Sequence, residues 1–442
     1  MIIKNYRQLI SHGDKEARIF LLSIVNEVLR HENYQRRIRA ILKKRGDYIK
    51  LGGDRFNLKD FKNVYLVGGG KYSSYMVRTV ADIIGPQVKQ GIVSDKCDIN
   101  FTDSRIEFIK SGHPVPDENS FNAGEKILNL ISKMREDDLL IVCVSGGWTS
   151  TIVSKPATVR PSSVQQTYEL LLRSGMTLKE MNMIRNRLSL LAGGNLINHT
   201  KAKTIIGLIA VDEVGGKPWG PTVYDMTSRK DLEKVIDRYL LSDKLPEDIH
   251  SLIRRFKRIT MSKEKNVFNY VISENREMCE FAYRVAKSRS VTPYILTSSL
   301  EGEAKDVGLV LAEIANEISL NSKLNRRPCL LIAGGETTVT LSKQAGVGGR
   351  NQELLLSAAI RILQKAKIAM VAIGTDGTDG PTNIAGAIVD RFTRQRMINL
   401  NIDPLQELKD HNSSKVFLRL KDALFTADTV TNLMDLLLLY VR

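Results

Sequence analysis

From Asp14 to about Leu42, the apolar residues Ala17, Phe20, Leu21, Ile24, Val28 and Leu29 recur three and four apart, which predicts an amphipathic helix. Beyond it, short apolar runs alternate with helical periodicity. "NVYLVGGG" precedes a helix from about Tyr72, "DDLLIVCVSGG" precedes a short connection, and "KTIIGLIAVDEVGG" runs into a loop rich in Gly and Pro. Repeated strand, glycine turn and helix predict an α/β layer on a mostly parallel sheet. From Asp231 to Lys287 the pattern reads as charged helices with few glycines. A second alternating region follows: "TPYILTSSLEGEA", a helix to about Leu320, "RPCLLIAGGETTVTL", the helix "NQELLLSAAIRILQKA", and "IAMVAIGTDGTDG". The run "LMDLLLLYV" near the C-terminus reads as a buried strand that either completes the second sheet or returns to the first domain.

A chain of 442 residues exceeds what one core usually organises, so two domains are expected. The ranges are an N-terminal α/β domain over 1–230, connecting helices over 231–290, and a C-terminal α/β domain over 291–442. Hydrophobic residues at 43% and charged ones at 26% describe an ordinary globular protein and exclude wholesale disorder. The net charge of +16 changes the picture, because it points to an anionic partner. The densest basic run, "RRFKRITMSKEKN" from Arg254 to Asn266, has few aromatics and no nucleic-acid recognition module, and reads as a solvated helix face. Cys97, Cys143, Cys279 and Cys329 form no C-x-x-C pair, and the six histidines show no metal spacing. Buried thiols in a reducing cytoplasm are the expectation. No stretch reaches the ~20 apolar residues a membrane span needs, and none near the N-terminus suits a signal peptide.

Apolar strands ending in glycine recur at Gly69, Gly146, Gly334 and Gly374, and in open α/β sheets ligands bind at the carboxyl ends of strands. "LVGGGKYSSYM" offers backbone N–H groups, a helix start and the charge of Lys71, which together suit a phosphate or a carboxylate. It is neither a Walker A loop nor a dinucleotide fingerprint, and a tight turn is the plain alternative. "VSGGWTST" places Ser145 and Thr149 beside glycines without the spacing of a nucleophile elbow. In "MIRNRLSLLAGGNL", Arg185 and Arg187 could fork onto a phosphate or carboxylate, although paired arginines on a helix are usually solvated. Asp212 ends a predicted strand. "IAGGETTVTL" and "GVGGRNQE" bring Glu336 and Arg350 to glycine turns, and an arginine at a helix start opposes the dipole, which favours a ligand there. "GTDGTDGPTNIAGAIVD" sets Asp376 and Asp379 three apart after a strand, where they could hold magnesium or take a hydroxyl proton. Glycine loops, cations and carboxylates, without an activated Cys or a Ser/His/Asp set, are the inventory of phosphoryl transfer.

In family order, "GHPVPDENS", "RNRLS…GGNL", "GPTVYD", "GGETTVT", "GGRNQE" and "GTDGTDGPTNIAGAIVD" resemble the glycerate 2-kinases that carry a C-terminal MOFRL domain. The resemblance implies a two-domain enzyme with a Rossmann-like first domain, and a smaller α/β MOFRL domain whose sheet is open to being mixed. Its reaction would use ATP and magnesium to phosphorylate D-glycerate at the 2-hydroxyl, in a cleft between the domains. Lys71 and Arg350 would stabilise the transferring group, with Asp212, Asp376 and Asp379 as further catalytic residues. Substrate or ATP would be bound by Gly69, Gly70, Ser145, Gly146, Gly147, Arg187, Asn195, Gly349, Asn351 and Thr375, and the metal by Asp212, Glu336 and Asp379. No nucleic-acid or membrane partner is expected, and a homo-oligomer is compatible with the sequence. Three departures stand out: Trp148, Thr149 and Ser150 where the family has small residues, "VDEVGGK" with Gly216 replacing a second acid, and "TADTVTN" lacking the family's glycines. The alternative readings are a nicotinamide-dependent hydroxypyruvate reductase and a basic nucleic-acid-binding protein.

Overall fold

In the computed structural model the described residues are 1–97, 101–211, 215, 217–256, 264–321, 327–341 and 345–442. They form two compact units. A mid-chain unit spans Tyr34–Glu213 and Lys217–Ser273; a terminal unit joins Met1–Asn33 and Val214–Gly216 to Glu274–Arg442.

The mid-chain unit begins with an antiparallel meander of β1 (Leu42–Arg45), β2 (Tyr48–Leu51) and β3 (Asp54–Asn57). Its main sheet holds β4 (Val64–Gly69), β5 (Val88–Asp95), β6 (Ile106–Lys110), β7 (Leu139–Val144), β8 (Thr204–Val211) and β9 (Asn266–Glu274), in the order β6-β5-β4-β7-β8-β9. The pairs from β6 to β8 are all parallel. Counted from β4 this is the doubly wound order 3-2-1-4-5-6, which reverses direction between β4 and β7 and so opens a crevice at their carboxyl ends. Strand β7 is buried at every position, as a strand covered by helices on both faces must be. The expected connecting helices are Arg229–Arg238 and Glu247–Arg254, and Leu232, Ile236 and Ile249 bury them in a core with Tyr168 and Ile184. Strand β9 follows them, where continued helix is expected; its run "NVFNYVIS" is β-branched and aromatic, a signal hidden by the flanking charge. Most of the basic run after Arg254, residues 257–263, lies outside the described residues.

In the terminal unit, β10 (Thr292–Leu300), β11 (Cys329–Gly335), β12 (Ile368–Gly374), β13 (Gly386–Asp390), β14 (Ala423–Leu424) and β15 (Asp435–Val441) form a sheet ordered β10-β11-β15-β12-β13-β14. Only β10 and β11 are parallel, so the sheet is mixed. The C-terminal strand β15 sits centrally, between β11 and β12, which explains why all seven of its residues are buried. The helices Ala304–Leu320 and Arg350–Arg361 cover one face through Leu331, Met370 and Leu439. The first helix, expected to run from Asp14 to Leu42, divides into Lys15–His31 and Tyr34–Ile41, and the two parts belong to different units. Lys15–His31 packs on β12 and β15, with Phe20 stacked on Tyr440 at 4.3 Å between ring centroids. No helix among the described residues is long and apolar enough to cross a membrane.

Candidate active site

At the switch point of the mid-chain sheet, the loops after β4 and β7 are tied together. The Lys71 N–H donates to the Gly146 carbonyl at 2.8 Å, Gly70 N–H to Thr151 Oγ1 at 3.0 Å, and Ser145 N–H to the Gly69 carbonyl at 3.1 Å. The Ser145 hydroxyl donates to the Lys71 carbonyl, so this expected ligand-binding hydroxyl is already used. Gly70 lies at φ +95°, and a Cβ there would run into the Ser145 carbonyl oxygen, so only glycine lets the loops approach this closely. Gly69, Gly70, Ser145, Gly146, Gly147 and Lys71 thus form one cluster, with Lys71 half-buried at its edge.

The helix that follows, Ser73–Ile84, was expected to offer its N-terminus to an anion of the ligand. That place is filled. The Asp95 carboxylate accepts hydrogen bonds from the N–H groups of Tyr72 (3.1 Å) and Ser74 (3.1 Å) and from the Ser74 hydroxyl (2.6 Å). Burial pushes its carboxyl above the usual range despite these donors. Asp95 escaped the sequence reading, although an acid closing the apolar run "GIVSD" was a signal for it.

Trp148 departs from the family pattern, but its ring is fully buried. It lies where a Cβ on Gly69 would sit, and its Nε1 donates to the Leu191 carbonyl at 3.0 Å, which moors "LSLLAGGNL" to this loop. Asn195, near the end of that segment, is half-buried and accepts from Asn198 at 3.4 Å. Arg187 is buried and ion-paired with Asp225 (2.7 Å), with its guanidinium 4.0 Å from the Phe256 ring centroid. Asp212 lies outside the described residues.

The terminal unit gathers a second cluster. Asp435 opens β15 opposite Gly335 and Gly374, and accepts from Arg350 Nε (2.6 Å) and Nη2 (2.9 Å); Glu336 accepts from Nη1 at 2.8 Å. The ligand anticipated for an arginine at a helix start is therefore a pair of the protein's own carboxylates. Asp435 was not foreseen, though a lone acid heading "LLLLYV" marks it. The N-terminus of the helix Arg350–Arg361 is filled by Asp379, which accepts from the N–H and Nδ2 of Asn351 (3.1 and 3.2 Å) and the N–H and Nε2 of Gln352 (2.9 and 3.0 Å). Gly349 lies directly against this carboxylate. Thr375 is buried and spans to the other strand, donating to the Met434 carbonyl at 2.7 Å and accepting from the Leu433 N–H at 2.8 Å. Asp376 is half-buried, and one of its oxygens accepts from the Thr378 N–H (3.0 Å) and hydroxyl (2.9 Å).

Glu336 and Asp379, as they stand, do not fit a magnesium ion: one is paired with a guanidinium and the other has both oxygens taken by four donors. Among the described residues no three His, Cys, Asp or Glu side chains gather as a metal set. Burial pushes the thiols of Cys97 and Cys279 up to about 12 and that of Cys329 up to about 11, away from the thiolate form a nucleophile needs.

Residues 20–254 match the model of a domain of unknown function, DUF4147, and residues 329–435 match the MOFRL family. The chain is 34% identical over 429 residues to a glycerate 2-kinase of Pyrococcus horikoshii, covering 95% of this chain and 96% of that one. It is 32% identical over 382 residues to a D-glycerate 2-kinase of Thermotoga maritima, covering 85% and 90%. The solved structure of a glycerate kinase from Thermotoga maritima superposes with a TM-score of 0.81 at 28% identity, covering 97% of this chain and 100% of that one.

Proposed function

We propose that this chain, which belongs to the family of glycerate kinases built from DUF4147 and MOFRL domains, phosphorylates D-glycerate at its 2-hydroxyl with ATP. The substrate oxygen forms a bond to the γ-phosphorus, the bond from that phosphorus to the β–γ bridging oxygen breaks, and ADP leaves with the electron pair. The hydroxyl proton passes to a carboxylate, for which Asp376 is the better placed of the two loop acids, being half-buried while Asp379 is saturated with donors. The products are 2-phosphoglycerate and ADP.

One observation carries this reading: Lys71 stands on the glycine loop at the carboxyl end of β4, and Arg350, which heads a helix after Gly348 and Gly349, sets its guanidinium on acids at the ends of β11 and β15, in a chain related along nearly its whole length to a glycerate 2-kinase. Lys71 brings a mobile point charge, suited to a phosphate. Arg350 has five N–H donors, of which Asp435 and Glu336 engage three. The two that remain are assigned to the transferring phosphoryl group, and the two carboxylates hold the guanidinium plane still while charge develops. A nicotinamide-dependent reductase gains nothing from this arrangement, because the helix N-terminus that would hold a pyrophosphate contains the Asp95 carboxylate. A cytoplasmic location suits four free thiols.

Lys71→Ala tests the assignment. With ATP supplied as its magnesium salt and D-glycerate saturating, kcat is expected to fall by at least ~100-fold. Turnover within a few-fold of the parent protein would remove Lys71 from the mechanism.

A further inference from the structure

Arg185 is the last residue of the helix Leu178–Arg185 and is 5% exposed. Its guanidinium lies 4.7 Å from the Tyr168 ring centroid, Nη2 reaches the Met181 sulfur at 3.7 Å, and among the described residues Nε has no partner. Among the described residues no carboxylate forms an ion pair with it, and burial holds its pKa below the usual arginine value. Two residues on, Arg187 is 7% exposed and, among the described residues, has one carboxylate partner, while its Nε and Nη1 go unmet. Asp225, the single acid in this group, also accepts from Asn186 at 2.9 Å and from the Thr227 N–H at 2.8 Å. Among the described residues, two buried guanidinium groups face one carboxylate, which leaves one positive charge over. An isolated buried charge is strongly unfavourable, and a helix C-terminus returns about half a unit of negative charge at most. A ring face offsets only part of that cost.

We propose that Arg185, supported by Arg187, is a built site for an oxyanion, the carboxylate or phosphate group of a small molecule. Unmet N–H donors on a rigid planar fork suit such a group, and both forks are fixed in place by aromatic rings. The position agrees with a ligand site, because the ring beneath Arg185 is bonded to the switch-point loop: the Tyr168 hydroxyl donates to the Thr149 carbonyl at 2.6 Å. The existence of the site does not depend on the kinase reading; which anion occupies it does.

The test titrates D-glycerate, ATP and inorganic phosphate separately into the full chain, unmodified and carrying Arg185→Met or Arg185→Lys, by calorimetry and thermal unfolding. Arg185→Met removes an uncompensated charge, so the ligand-free protein should unfold no lower than the parent. Its affinity should fall by at least ~10-fold for one of the three ligands: loss for D-glycerate alone identifies a carboxylate site, loss for ATP or phosphate a phosphate site. Arg185→Lys keeps the charge without the fork and should show a smaller loss for the same ligand, which keeps the test alive if the Met variant does not fold. Affinities unchanged for all three in both variants would overturn the proposal, leaving Arg185 as a packing residue. If the unmodified chain makes no phosphoglycerate yet binds inorganic phosphate through Arg185, the site stands and the kinase reading falls.

Discussion

Asp379 gives both carboxylate oxygens to the first turn of the helix Arg350–Arg361, whereas Asp376, three residues earlier, accepts through one oxygen from the N–H and the hydroxyl of Thr378. Two acids that look equivalent in "GTDGTDG" therefore predict different losses. Asp376→Asn should lower kcat by ~100-fold or more while leaving the unfolding midpoint within experimental error, as the loss of a proton acceptor requires. Asp379→Ala should instead cost roughly 2 kcal/mol of stability, because it removes a helix cap and strands four buried donors. Urea unfolding and steady-state kinetics on both variants separate the two roles; an Asp376→Asn enzyme of normal turnover would move the base elsewhere. The sequence marked this loop as functional from its composition, but the partners of a carboxylate depend on which turn folds over it, and Asn351 lies 28 residues away along the chain.

Among the elements, the helix Lys15–His31 is held by charges from the far end of the chain. Arg18 is fully buried and bonds Asp390 at 2.5 Å and Asp422 at 2.6 Å, and Asp422 also meets His12 at 2.7 Å and Arg396 at 2.7 Å. Removing one member of a buried ion pair leaves the others uncompensated, so Arg18→Met should destabilise the terminal unit by about 3 kcal/mol or more. Burial alone would push the Asp422 carboxyl up, but Arg18, His12 and Arg396 outweigh it and hold the group below the usual range. A carboxyl depressed in the folded state contributes stability that is complete above its unfolded value, ~3.9, and is lost as pH falls through the lower folded value. Detachment of this helix should therefore begin below about pH 4, and Asp422→Asn should flatten that part of the unfolding profile; an unchanged acid limb would contradict the ion-pair account. The helix itself was legible from its apolar spacing. Its unit was not, since the acids that hold Arg18 are more than 370 residues distant. Strand type was equally readable for β7, β12 and β15 from continuous apolar runs, while β9 was masked by charged neighbours and the placement of β15 beside β11 needed the register itself.

At the scale of the whole molecule, each unit sets charged groups beside strands that end in glycine: Lys71 after β4 in one, and Glu336 after β11 with Arg350 and Asp435 in the other. A net charge of +16 fits an enzyme whose two substrates are both anions. The same charge would also attract nucleic acid, but such binding would weaken steeply with salt and would produce no phosphoglycerate. The central claim concerns where the phosphoryl group lands, and phosphorus NMR of the product reads that position directly. A phosphate on the secondary carbon couples to one proton, and on the terminal carbon to two. Incubation of the full chain with ATP, magnesium and D-glycerate should give a phosphorus doublet, that of 2-phosphoglycerate; a triplet from the 3-phosphate, or no phosphoglycerate at all, would contradict the account.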